Sequence, residues 1–172
     1  KTAQWVPNTG GGAYPVFCYD EETQFLFDQL NDEKRDLYFE EYPDREEDYS
    51  GDEKTQYDRY AGFLMDEKLN QAAAQRLEAA LVNGYSGDAI PGEGTLKDYL
   101  GKISYRKNSS CRELYLRGRE DADDAFDRLI GKTQDKYDSS GKRKDSLDYY
   151  RRIGMAHAEK DGEHYFMVIL MR

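Results

Sequence analysis

The chain has 172 residues, a net charge of −10, and 38% hydrophobic against 35% charged residues. That is enough apolar material for one core in one domain, while a mean hydropathy of −1.00 commits much of the remainder to solvent. The charge excludes nucleic acid and anionic membrane as default partners, because their phosphates would be repelled, and no run approaches the roughly 18 apolar residues of a membrane span.

Residues 1–19 open on KTAQWVPNTGGG, without an initiator Met, and are rich in Gly, Pro and aromatic residues. They read as an arm or tether of a mature or trimmed product, leaving one domain at 20–172. Asp20 then caps EETQFLFDQLNDEKR, whose first-turn acids and Leu26–Phe27–Leu30 stripe predict a helix. Residues 40–60 carry almost no aliphatic side chain but repeat Tyr among acids, so an acidic, Tyr-rich insertion is expected at about 38–62. After Asp66, EKLNQAAAQRLEAALV sets Leu69, Ala72, Ala73, Leu77, Ala80 and Leu81 on one helical face, and Asn83-Gly84 stops it. GTLKDYLGK predicts a further turn or two of helix, and CRELYLRG a short strand. Asp121 caps ADDAFDRLI, closed by Gly131, and 132–146 reads as a polar loop. Last, YYRRIGMAHAE and EHYFMVILM flank Asp161-Gly162, a strong hairpin signal. Because YFMVILM is apolar at nearly every position, it is expected to be buried on both faces. The sum is an α+β fold, a three-layer α-β-α sandwich with a small, mainly antiparallel sheet between helices.

Candidate sites are few. His157 and His164, the only histidines, lie on opposite strands of the hairpin near its turn. They read as surface or rim residues, or as a weak metal pair that Glu159 or Glu163 would have to complete. Cys18 and Cys111 are 93 positions apart and fit no zinc spacing. They are either two unpaired thiols or one disulfide tying the arm to the body. DREEDYSGDEKT misses the EF-hand pattern, with Tyr49 where Gly is required. Tyr42, Tyr49, Tyr57 and Tyr60 offer large contact area with few torsions to freeze, as recognition surfaces do. No nucleophile–base arrangement is visible. The basic spot KRK at 142–144 is too small for nucleic acid, and NSS at 108–110 matches a glycosylation sequon.

Four segments resemble, in order, the CAP superfamily of cysteine-rich secretory, antigen 5 and pathogenesis-related proteins, and specifically its bacterial SCP-like domains. FLFDQLNDEKR is similar to the first family helix with its LNxxR segment, and LMDEKLNQAAAQRLEAAL to the helix that follows. CRELYLRGREDADDAFDRLI resembles the segment around the family's GEN motif, and YYRRIGMAHAEKDGEHYFMVIL its closing hairpin. Together they span about 20–172. The resemblance implies export, to the cell surface or beyond, and a central cavity whose two His and two acids can hold a divalent metal. Glu113, in CREL, keeps the acid of GEN and would point into that cavity. Gly87 or Asp88 stands where the first His would fall, and Lys142 or a neighbour where the second would, so the tetrad is degenerate.

The expected function is therefore a secreted or cell-surface, non-catalytic binding module, a monomer whose partner is a protein, a glycan or a small apolar ligand. Glu113, Tyr115, Tyr49, Tyr57 and Tyr60 are its candidate contacts. No cofactor is expected, with a divalent metal the one left open. The alternative is a metal-dependent, hydrolase-like enzyme using Glu113 with His157 or His164.

Overall fold

The computed structural model describes residues 5–6, 14–44, 61–133, 136–137, 139–140, 143–144 and 146–172. A sheet runs through the middle: β1 (Trp5–Val6), β2 (Val16–Phe17), β9 (Arg152–Lys160), β10 (Glu163–Met171) and β6 (Cys111–Arg119), in that spatial order and antiparallel throughout. A short β3 (Leu64–Met65) adds to β9 in parallel. The β9–β10 hairpin turns at Asp161-Gly162, both in the left-handed region at φ 54° and 81°, as a two-residue turn of this kind requires.

Period-two alternation sorts the hairpin between two cores. Met167, Ile169 and Met171 pack with Ala156 and Ala158 under α2 (Glu67–Asn83). Phe166, Val168 and Leu170 pack with Ile153, Met155, Leu114 and Leu116 against α1 (Glu21–Glu41) and α4 (Ala122–Lys132). The result is the α-β-α sandwich, α+β in class, that YFMVILM predicts. α2 lies close on β9 because the strand turns small residues towards it. A Cβ at Gly154 would sit 2.2 Å from the carbonyl carbon of Leu69, so only glycine fits. Asp66 fixes the start of α2: it accepts from the amides of Lys68 at 2.9 Å and Leu69 at 3.2 Å, and pairs with Arg152 of β9 at 3.2 Å. On the β6 side stand the small β4 (Ala89–Ile90) and β5 (Gly94–Thr95) pair and α3 (Leu96–Lys102), which carries a Thr95–Asp98 capping box.

Several boundaries differ from those expected. The domain does not begin at residue 20: β2 pairs with β9, and Val16 and Cys18 are buried in the α2-side core, so the end of the arm is part of the sandwich. α1 runs beyond Arg35 to Glu41, because Lys34 and Tyr38 continue the buried four-residue spacing of Leu26 and Leu30. A charged residue on that face hides the stripe from a reading of hydropathy. The stretch 38–62 is thus helical at its start, and Ala61 at its end is fully buried. Within the expected polar loop 132–146, β7 (Lys136–Tyr137) and β8 (Arg143–Lys144) pair as a second small ribbon.

Cys18 and Cys111 are free. Three strand spacings (β2 to β9 to β10 to β6) separate their positions, about 14 Å, against the roughly 7 Å limit between bridged Cα atoms. Burial, with the charges of Glu67 and Asp20, pushes the Cys18 thiol up to about 12. Cys18 donates to the Asn70 carbonyl at 3.5 Å.

Candidate functional site

Glu113 leaves β6 on its α2 face, where Arg76 from the middle of α2 meets it. The guanidinium donates through Nε and, at 3.0 Å, through Nη2 to the two carboxylate oxygens, and the Tyr85 hydroxyl donates to Oε1 at 2.8 Å. The side chains of Arg76 and Glu113 are only 2% and 3% exposed. Burial and the Glu113 charge raise the Tyr85 phenol well above its ordinary value. The acid is thus held by three donors, and its partner is not the neighbouring Arg112 or Arg117 that strand proximity suggests. Arg112 reaches the Lys132 carbonyl at 2.7 Å, and Arg117 lies over the Tyr115 ring at 5.3 Å.

Outside this pair, a cleft of about 250 Å³ runs over the outer edge of β6, from the loop after α2 to α4. Glu113 and Tyr115 line it together with Arg117, Arg119, Arg128 and Lys132. Among the described residues β6 pairs with β10 alone, and its other edge faces the cleft. Arg119 is shared with Asp124 at 3.6 Å, whereas Arg117, Arg128 and Lys132 make no ion pair among the described residues. Partial burial and the crowd of Arg128, Arg112, Arg117 and Arg119 hold the Lys132 ammonium below the usual lysine value. Asp88 and the neutralised Glu113 are the acids of the lining, so in a chain of net charge −10 this cleft is locally positive.

The histidines lie on the other face of the sheet. Glu113 is the cross-strand partner of Ile169 in the α2-side core, and His157 that of Phe166 in the opposite core. Cross-strand partners share a face, so the sheet itself stands between Glu113 and His157, and the two do not form one centre. His157 is buried, not a surface residue as its nearness to the turn suggests, because Phe17 and Phe166 flank it on the two neighbouring strands. His157 Nδ1 lies 2.6 Å from Asp20 Oδ2 and its Nε2 lies 2.8 Å from His164 Nδ1. Glu159 stands 3.8 Å from the same His164 nitrogen. Burial raises the Asp20 carboxyl, but the bond and charge of His157 and the amide and hydroxyl of Thr23 outweigh it and hold the group below the ordinary aspartate value. Asp20 therefore caps α1 and anchors a histidine at once.

Of the candidates named from sequence, Glu113 and Tyr115 share one cleft and His157 and His164 touch each other. Tyr49, Tyr57 and Tyr60, with Lys142, lie outside the described residues, while Tyr42 is exposed and packs on the Tyr38 ring at 5.0 Å. Sequence reading passed over Arg76, although a charge at 76 within the stripe of Leu69, Ala72, Ala73 and Ala80 was a visible anomaly. It also passed over Arg128 and Lys132, one helical turn apart, and over Asp20 except as a cap. Searches against protein-family models, curated proteins and solved structures find no match to the chain.

Proposed function

We propose that the chain is a CAP-like domain, acting outside the cell or at its surface as a non-catalytic binding module, and that the cleft on β6 takes an acidic, extended segment of a protein partner. The observation that carries this reading is the convergence of Arg117, Arg119, Arg128 and Lys132 on one cleft of an otherwise acidic molecule. At about 0.1 M salt the Debye length is about 10 Å, so repulsion from the distant net charge is screened while charges lining the cleft act at close range. The edge of β6 that no described strand covers supplies backbone donors and acceptors for an added strand, and Tyr85 and Tyr115 supply flat apolar faces beside it. The glycan and small apolar ligands also considered fit less well, because a positive lining selects for anionic groups.

Assignment to the CAP superfamily rests on the four segments in order, on the closing hairpin, and on an acid at 113 facing α2. Export follows from that resemblance alone. A non-catalytic role is favoured by the state of Glu113, whose carboxylate already accepts three hydrogen bonds from Arg76 and Tyr85.

The test is fluorescence anisotropy with a labelled Glu-rich peptide and a Lys-rich one of equal length. The acidic peptide should bind, and Arg128→Glu with Lys132→Glu should weaken it at least about ten-fold, equal to 1.4 kcal/mol. Equal binding of the two peptides, or no change in the double variant, would overturn the reading.

A further inference from the structure

We infer that His157, His164 and Glu159 form a zinc site at the hairpin tip, with Asp20 orienting His157 from behind. It is independent of the cleft on β6. The three side chains each offer a ligand atom within 4.8 Å of the others. Two imidazoles and a carboxylate suit zinc rather than calcium, which takes six to eight oxygens.

The hydrogen bonds already fix the tautomer a metal needs. An ionised Asp20 can only accept, so the proton of His157 sits on Nδ1, 2.6 Å from Oδ2. In the neutral ring Nε2 then carries the lone pair, aimed at His164 Nδ1 at 2.8 Å. A carboxylate behind a ligating histidine is the usual outer support of zinc centres. In the metal-free state His164 Nδ1–H donates to His157 Nε2. When zinc binds, the His164 proton passes by way of solvent from Nδ1 to Nε2, so that both facing nitrogens present lone pairs to the metal and each ring stays neutral. Zinc–nitrogen bonds of 2.0–2.1 Å at a tetrahedral angle put the nitrogens about 3.3 Å apart. The pair must therefore open by about half an ångström. His164 can do this, since it stands two residues from the turn with its side chain 16% exposed. Glu159, 66% exposed, swings in as third ligand, and the fourth position faces solvent. The site would pin the tip of the hairpin to the first turn of α1, because Asp20 also accepts from the Thr23 amide at 3.0 Å.

The experiment uses the full chain stripped of metal. Zinc is titrated by calorimetry in two buffers of different ionisation heat, and cobalt is added in parallel as a spectroscopic probe. The expected result, above the ordinary imidazole range at about pH 8, is one zinc per chain, a heat nearly the same in both buffers because no net proton is released, and a visible cobalt band of tetrahedral strength. His164→Ala should abolish the band. Asp20→Asn keeps a good helix cap and should weaken zinc about 10–100-fold, as loss of an outer-shell carboxylate does. No zinc heat with wild type, a weak octahedral cobalt spectrum, or binding indifferent to His164→Ala would each overturn the inference.

Discussion

Replacing Arg76 by Met would strand a carboxylate in the interior. Glu113 and Arg76 are 3% and 2% exposed, so solvent cannot stand in for the lost partner. Of the donors on Glu113 only Tyr85, at 2.8 Å, would remain. Removing one member of a buried pair costs about 3–5 kcal/mol. In a domain of this size each kcal/mol moves Tm by about 2–4 °C, so a fall of roughly 6–20 °C is expected. Arg76→Met with Glu113→Leu should recover most of it, because both desolvation penalties go together. Arg76 Nη1 already lacks an acceptor among the described residues, so the native pair is not fully satisfied. The Tyr85 hydroxyl, left without its acceptor, should withhold about 1 kcal/mol of the recovery. Urea unfolding of wild type, both single variants and the double variant closes a thermodynamic cycle. If Arg76→Met lies within about 1 kcal/mol of wild type, or the double variant is no better than the single, the reasoning from burial fails.

Other outcomes follow from single residues. Burial pushes Lys34 down from 10.5 to about 8, which at 1.36 kcal/mol per unit is ~3 kcal/mol. A base with a depressed folded pKa is penalised while protonated, fully below about 8 and not at all above its unfolded value, so its contribution to stability rises with pH between the two. The stability difference between Lys34→Met and wild type should therefore shrink by up to that amount from pH 7.5 to 10.5, and a flat difference would refute it. Gly154→Ala would force a methyl into the Leu69 backbone, and a loss of at least about 3 kcal/mol is expected from chemical denaturation; a Tm within 2 °C of wild type would show that α2 can retreat. A thiol reagent at pH 8 should modify half-buried Cys111 well before Cys18, and both at once in denaturant. Recovery of a Cys18–Cys111 linked peptide after non-reducing digestion would contradict the separation across the sheet.

Much of the fold is legible where signals are local. Asn83-Gly84, Asp161-Gly162 and the caps at Asp66 and Asp121 each act within a few residues, and the helices and hairpin stand where these place them. What escapes is set by distance. The strands at 16–17 and 64–65 hold two residues each, too few to carry a period, and exist because β9 offers them an edge. Lys34 disguises a buried helical face. At the sites the chemistry-bearing residues were visible but their partners were not. Glu113 meets a residue 37 positions away, and His157 one that is 137 away. Arg112 and Arg117 are nearer to Glu113 in sequence, yet Arg112 points to the opposite face of the strand and Arg117 turns over the Tyr115 ring.

Asn70, fully buried in α2, accepts from the Met155 amide of β9 at 2.9 Å and donates to the Tyr19 hydroxyl at 2.8 Å, while its own carbonyl receives Cys18. It fills the gap on β9 between the places where β3 and β2 pair. Peeling residues 14–20 away would leave that amide group without a donor target inside a dry core, so the segment has no inexpensive way to fray alone. Hydrogen exchange at Phe17 and Met155 should thus report the same opening free energy, that of the whole sandwich, and unfolding should be a single cooperative event despite an N-terminal stretch whose composition reads as a loose tail.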